Sequence, residues 1–300
     1  MVEAISKRKT GMKAKSWKDR IAPFFIYLVL TMLALVVVYP FIHVIAVSFS
    51  SRGEALRSGF HFFPREFEWR AYQELLEYPF IWSGYANTLF RMVVGTFSTL
   101  LVTVCAAYPL SRPDFPMKRI LVLLLLFTMI FDGGIVPNYL LMKELHLLNS
   151  LWVYVLPSTA NAFQVLVMLS FFRSIPDALI EAARIDGARD LRILFRIVLP
   201  LSIPSLVTIG LWSLVHHINA FMDNLLYVTD QSKFVLQQVV RQILIENKLD
   251  PFTTATNLTP PAPESLKMAS VIVCSLPVLV LYPFLLKYFE KGTMIGSVKG

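Results

Sequence analysis

Charge is scarce in this sequence. Asp, Glu, Lys and Arg make up 16% of its 300 residues, hydrophobic residues make up 56%, and the mean hydropathy is +0.60. A soluble domain of this size needs more charge to cover its surface, which argues against one or two soluble domains. Cysteine is nearly absent as well. Cys105 and Cys274 both fall in apolar runs, which leaves no disulfide or metal framework and reads each as a small buried hydrophobe. No G-x-x-x-x-G-K-[ST] loop occurs, so nothing here cradles ATP phosphates in the usual way. The two halves show no repeat, which weighs against a secondary transporter built from inverted repeats.

What the sequence does have is long uncharged runs, and a bilayer helix needs about 20 apolar residues. Six stretches qualify, within 24–49, 92–110, 120–142, 147–172, 197–222 and 268–286. Asp132, Gly133 and Gly134 interrupt the third, and Pro40, Pro157, Pro200, Pro204 and Pro277 lie in or near others. Transmembrane helices tolerate such prolines, because neighbouring helices and waters re-satisfy the freed backbone. The expected fold is therefore an all-α, multi-pass membrane protein with six transmembrane helices. The run from Ile21 to Ser51 is too long for a cleaved signal peptide and reads as a true first span.

Orientation follows from Lys and Arg. With the N-terminus inside, the inner segments hold 18 basic against 8 acidic residues, and the outer loops hold 9 against 11. Both termini are thus expected in the cytoplasm, with a basic tail at 1–20, the membrane domain at 21–290 and a second tail at 291–300. The net charge of +8 is a topology signal. The basic residues are divided among four short segments, which makes a nucleic-acid partner a poor reading. The outer loops 50–84 and 223–267 are long, the first of them rich in aromatics. They suit either packing on the membrane surface or docking of an extracytoplasmic partner.

Several polar residues fall inside the spans. Asp132 is a carboxylate at membrane depth, a functional candidate by default. Gly133 and Gly134 equally allow it to reach an aqueous vestibule, with Arg91 as a possible partner. His216 and His217 are adjacent, so they point about 100° apart on a helix and do not grip one metal easily. Asn161, Gln164, Trp212, His216 and Asn219 are candidates to line a pore, since sugars need hydrogen-bonding groups and aromatic faces. An intramembrane enzyme using Asp132 with a histidine would need those groups to converge, and no catalytic motif supports it.

The most informative stretch is EAARIDGARDLRILFRIVLP, residues 181–200. Pro176 suits a first helical turn, and Asp177 and Glu181 suit a helix N-terminal half. Leu179, Ile180 and Ala183 outline one apolar face, and Gly187 sits where a left-handed cap is needed. A second helix is expected from Ala188, with Arg189, Arg192 and Arg196 on one face and Leu191, Leu194, Phe195 and Val198 on another. The whole 174–200 loop reads as helix, glycine elbow and amphipathic helix on the cytoplasmic surface. That form fits a knob gripped by another protein, or an ordinary interfacial loop.

The spacing Glu-Ala-Ala, three residues, Gly, nine residues, Ile, one residue, Leu-Pro resembles the signature loop of permease subunits of bacterial ATP-binding-cassette importers. It is matched at Glu181, Ala182, Ala183, Gly187, Ile197, Leu199 and Pro200. The segments ANTLFRMVVGT, AAYPLSRPDF, GGIVPNYLLMKELHLLNS and KGTMIGSVKG are similar to the carbohydrate branch, most of all to permeases for polysaccharides and complex oligosaccharides. One departure matters: relatives often carry Trp-Asn late in the fifth span, where this chain has Ile218 and Asn219, so any sugar stacking must come from elsewhere.

The resemblance implies a non-catalytic subunit of a bacterial cytoplasmic (inner) membrane transporter. It would pair with a second, non-identical permease, a dimer of ATPases that bind ATP and magnesium, and an extracytoplasmic solute-binding protein. The chain itself would hold no cofactor. Glu181, Ala182, Ala183, Asp186, Gly187, Arg189, Leu199 and Pro200 would form the ATPase-coupling element, and the 291–300 tail would reach the ATPases. The implied cargo is an oligosaccharide, with acidic oligomers of the alginate kind as the specific expectation and a neutral sugar as the alternative. An ATP-independent channel is the competing reading outside this family.

Overall fold

The computed structural model describes residues 17–57, 59, 61–245 and 263–296. Residues 246–262 of the second long loop, most of the 1–20 tail and residues 297–300 lie outside the described residues. Helices dominate, and among the described residues the only β feature is an isolated antiparallel bridge between Ser50 and Phe67.

A long first helix, α1, runs Trp17–Ser48. After a single turn at Arg52–Ala55 come α2 (Arg70–Glu77) and α3 (Pro79–Ser111). Next are α4 (Lys118–Ile130) and α5 (Ile135–Glu144), then two 3-10 turns across 151–158 and α6 (Ala162–Arg173). The hairpin helices α7 (Asp177–Ile185) and α8 (Asp190–Leu201) lead into α9 (Ile203–Asn219). The chain ends with α10 (Met222–Tyr227), α11 (Leu236–Ile245) and α12 (Pro263–Gly296).

The organising element is α3. At 33 residues it is about 50 Å long. Buried Gly95, Thr99, Thr103 and Ala107 recur every fourth residue along it. Small residues at that spacing let helix backbones approach closely in a membrane, and α3 packs against both α9 and α6. A Cβ at position 95 would overlap the His217 imidazole of α9, so this glycine makes room for that ring.

Two apolar cores sit at opposite ends of α3. One joins its start to α2, α11 and the beginning of α12, through Leu75, Ile81, Leu236 and Ala269. The other joins its end to α6 and the hairpin, through Ala107, Met168, Phe172, Ile193 and Val198. The aromatic loop near 50–78 and the 181–200 loop therefore lie at opposite ends of the molecule.

Of the expected spans, α1 and α3 are single helices long and apolar enough to cross a membrane. The next three are broken. α4 and α5 bend by 115° across the Asp132 break, the 3-10 segment and α6 bend by 50°, and α8 and α9 bend by 80°. The sixth stretch lies within α12. Reading 147–172 and 197–222 as uninterrupted helices is thus corrected, while the interruption expected in 120–142 at Asp132–Gly134 is present. Gly134 has φ 83°, a conformation that suits glycine, and Asp132 Oδ1 accepts its N–H. Pro200 and Pro204 flank the break at Ser202. α3 also begins 13 residues before the stretch read as its start, because its first turns pack into the core that includes Ile81.

The cysteines do not match the expectation of buried hydrophobes. Cys105 is exposed and Cys274 half-buried, so Cys105 lies on a face this chain leaves uncovered. Most of α1 is likewise uncovered: its most apolar window has no buried residue, and burial begins only at Ala46 and Val47. Faces this apolar require lipid or another chain.

Candidate functional site

Two features stand out, a cleft beside the core at the start of α3 and the hairpin at the other end. The cleft has a volume of about 760 Å³ and lies among α3, the Asp132 break, α6 and the end of α9. Of the five pore candidates it collects Asn161, Gln164, His216 and Asn219. Asn161 caps α6 by accepting the Gln164 N–H at 3.1 Å. Gln164 is buried, and its Oε1 has no hydrogen-bond partner in the protein. Asn219 donates to the Val215 carbonyl at 3.0 Å and remains exposed.

Trp212 is not part of the wall. It is 37% exposed and lies against Phe163, with ring centroids 5.5 Å apart. It shares a helix face with His216, one turn on, but its ring is taken up by Phe163. Ile218, which stands where relatives often carry tryptophan, is buried. The aromatic surfaces in the wall are instead Phe221 and Tyr227, which the sequence reading missed along with Asp223.

Asp223 is the anchor of this region. It pairs with Arg91, whose side chain is 1% exposed, through both carboxylate oxygens. The same guanidinium donates to the Ala220 carbonyl at 2.8 Å, approaches His217 Nδ1 at 3.4 Å, and lies over the Tyr154 ring. Tyr154 donates to Asn224 Oδ1 at 2.7 Å, and the Val235 N–H donates to that oxygen at 2.8 Å. Asn87 and Thr88 of α3 bind the Ser232 and Phe234 carbonyls and the Leu236 N–H. One polar network thus ties the segment 220–236 to α3.

This corrects the pairing of Arg91 with Asp132. Asp132 is exposed and lines the cleft. The two histidines separate: His217 is buried against Gly95 and Arg91, and His216 faces the cleft. No group of three metal-binding side chains occurs among the described residues.

At the far end, α7 stops in a helix-capping pattern. The Ala188 N–H donates to the Ala183 carbonyl at 2.9 Å and the Gly187 N–H to the Arg184 carbonyl at 3.0 Å, with Gly187 at φ 76°. This is the Schellman arrangement, which needs a left-handed residue at that position. Glu181, Ala182, Asp186, Gly187 and Arg189 are exposed, Ala183 and Leu199 are half-buried, and Pro200 is exposed. Ile185, at the tip, is 86% exposed.

The second helix starts at Asp190, not Ala188, with Arg189 before it. Its inward face is also corrected. Ile193, Leu194 and Val198 are buried, while Leu191 and Phe195 are exposed. In α7, Ile180 is buried and Leu179 exposed. α8 passes through a π turn at Leu194–Val198. Pro200 lacks an N–H and its ring crowds the carbonyl four residues back, so the ladder widens ahead of it. The wider turn changes the helical phase.

Residues 81–295 match the family described as binding-protein-dependent transport system inner membrane component. This chain belongs to that family. The permease is 40% identical over 285 residues to the polygalacturonan/rhamnogalacturonan transport system permease protein YtcP of Bacillus subtilis, covering 94% of this chain and all of that one. It is 31% identical to the melibiose/raffinose/stachyose import permease protein MelC of the same organism, covering 91% and 96% of the two chains. A crystal structure of a bacterial ABC transporter that imports the acidic polysaccharide alginate superposes on the permease with a TM-score of 0.85, at 31% identity and 91% and 98% coverage.

Proposed function

We propose that this permease is one half of the pore of an ATP-driven oligosaccharide importer, with 174–200 as the element through which a separate ATPase drives it. The observation that carries the reading is the hairpin. Seven signature positions lie on a helix–glycine–helix that projects exposed charge and an exposed apolar tip at the end of α3 remote from the cleft. In this reading six spans place both termini in the cytoplasm, and α4–α5, the 151–173 segment and α8–α9 are broken spans. A second, different permease chain covers the apolar faces left open here. The ATPases hold ATP and magnesium, and an extracytoplasmic protein delivers the cargo. Exposed Glu181 meets a basic ATPase residue in a charge-assisted contact.

For the cargo, similarity to a polygalacturonan permease and to an alginate importer supports an acidic oligosaccharide. A neutral oligosaccharide is the second reading, and one observation favours it. The described cleft wall holds Asp132 and Asp223 and no Lys or Arg. The test is ATP hydrolysis in proteoliposomes containing this chain, its partner permease and the ATPase, with the binding protein loaded with tri-galacturonate or with raffinose. Stimulation by the first alone supports the acidic reading, and stimulation by the second alone supports the neutral one. No stimulation by either, with no ATPase retained on purification, overturns the coupling role.

A further inference from the structure

An acidic cargo needs cations, and the cleft wall supplies none. The cations lie instead on the outer loop after α1. There a concavity of about 670 Å³ is lined by Glu54, Arg57, Gly59, His61, Phe62, Phe63 and Arg65. Its volume falls in the range of small-molecule sites. From the geometry of this concavity we infer that it is a second sugar site, one that takes the carboxylate of a uronate unit. The inference rests on the acidic-cargo reading above.

The loop is built to hold that shape. The Glu54 carboxylate is buried and accepts the Arg65 N–H at 2.9 and 2.7 Å and the Glu66 N–H at 3.0 Å. Its charge is thereby used within the loop, and its oxygens are already occupied. His61 is also buried. Its ring nitrogens lie 3.1 Å from the Gly59 carbonyl oxygen and 3.2 Å from the Glu54 carbonyl oxygen. The bridge between Ser50 and Phe67 and the stack of Phe49 on Phe67 close the base of the loop.

Arg57 and Arg65 are exposed, and neither is in a salt bridge among the described residues. A guanidinium binds a carboxylate through two parallel hydrogen bonds, a planar match that lysine does not reproduce. Phe62 is 55% exposed and Phe63 82% exposed. Their rings offer the apolar faces on which a pyranose lies. Two guanidiniums beside two aromatic rings in one concavity match the two chemistries of a uronate, its charged group and its C–H face. The Asp132 side of the cleft offers neither cation.

The test uses the assembled transporter in nanodiscs, without binding protein, titrated with tri-galacturonate or with neutral maltotriose. The expected result is binding of tri-galacturonate and none of maltotriose. Arg57→Gln and Arg65→Gln should each weaken binding about tenfold or more. Arg57→Lys should fall between the unmodified transporter and Arg57→Gln. Equal affinity for the two sugars, or an unaltered affinity in the Arg57→Gln/Arg65→Gln variant, would overturn the site. Another result also overturns it: the double variant captures the binding protein less well while still binding free tri-galacturonate, which would assign the arginines to protein docking. Stimulation of ATP hydrolysis separates the failures. If loaded binding protein stimulates with tri-galacturonate but the arginine variants bind normally, only this site falls. If raffinose alone stimulates, the cargo reading falls with it.

Discussion

Removing the Asp223 carboxylate should destabilise the cleft end of the permease far more than removing a surface charge. Arg91 is 1% exposed, and Asp223 accepts two of its N–H groups. With alanine at 223 the guanidinium keeps one good neutral acceptor, the Ala220 carbonyl at 2.8 Å, and loses its counter-ion. Breaking a buried pair from one side costs roughly 3–5 kcal/mol. Asp223 is 23% exposed through the cleft, so water reaches part of the site and the lower end, about 3 kcal/mol, is expected. Arg91→Met should cost less, because the carboxylate left behind is open to cleft water. The double variant Arg91→Met/Asp223→Ala no longer buries an unpaired charge. It should be more stable than the sum of the single losses by at least about 1 kcal/mol. Thermal unfolding of the four proteins in nanodiscs measures this cycle. If Asp223→Ala costs under about 1 kcal/mol, or if the losses simply add, the buried-charge argument is refuted.

Three further outcomes are expected. Gly187→Ala places a side chain at φ 76° with open space around it, so the cost is backbone strain of about 1–2 kcal/mol; stimulated ATP hydrolysis should fall, and Gly187→Asn should retain more of it. Gly95→Ala forces its methyl into the His217 ring and should lower stability by about 1–3 kcal/mol, a loss that His217→Ala relieves, as thermal unfolding will show. Burial alone would raise the Glu54 carboxyl, but the N–H groups of Glu66 and Arg65 outweigh it and hold it below its ordinary value of 4.5. A lowered carboxyl adds stability that is fully present above that value and lost as pH falls towards the folded one. Hydrogen exchange at the Arg65 and Glu66 amides should therefore quicken in acid below about 4.5 relative to the intrinsic rate, and Glu54→Gln should remove that dependence.

Much of the 174–200 hairpin was legible because its determinants are local. A helix start near Pro176, a left-handed glycine at 187 and a proline at 200 act on the few residues around them. The inward face of α8 was not legible. Leu191 and Phe195 face out where simple spacing turned them in, and the helix passes through a π turn at Leu194–Val198 that spacing does not reveal. In the cleft, Asn161, Gln164, His216 and Asn219 were found from chemistry and membrane depth. Trp212 falls outside that lining because Phe163, on another helix, takes up its ring. Asp223 was missed because its partner is Arg91, on another helix and far away in sequence.

By itself the sequence determined the all-helical class, the apolar stretches and the hairpin, because hydrophobic length, proline and glycine impose their effects within a turn or two of the chain. Only the tertiary structure decided which stretches break, which of two adjacent histidines is buried, and which carboxylate Arg91 binds. Each of those outcomes depends on what a distant helix presents at the point of contact, such as the missing Cβ of Gly95 that admits the His217 ring.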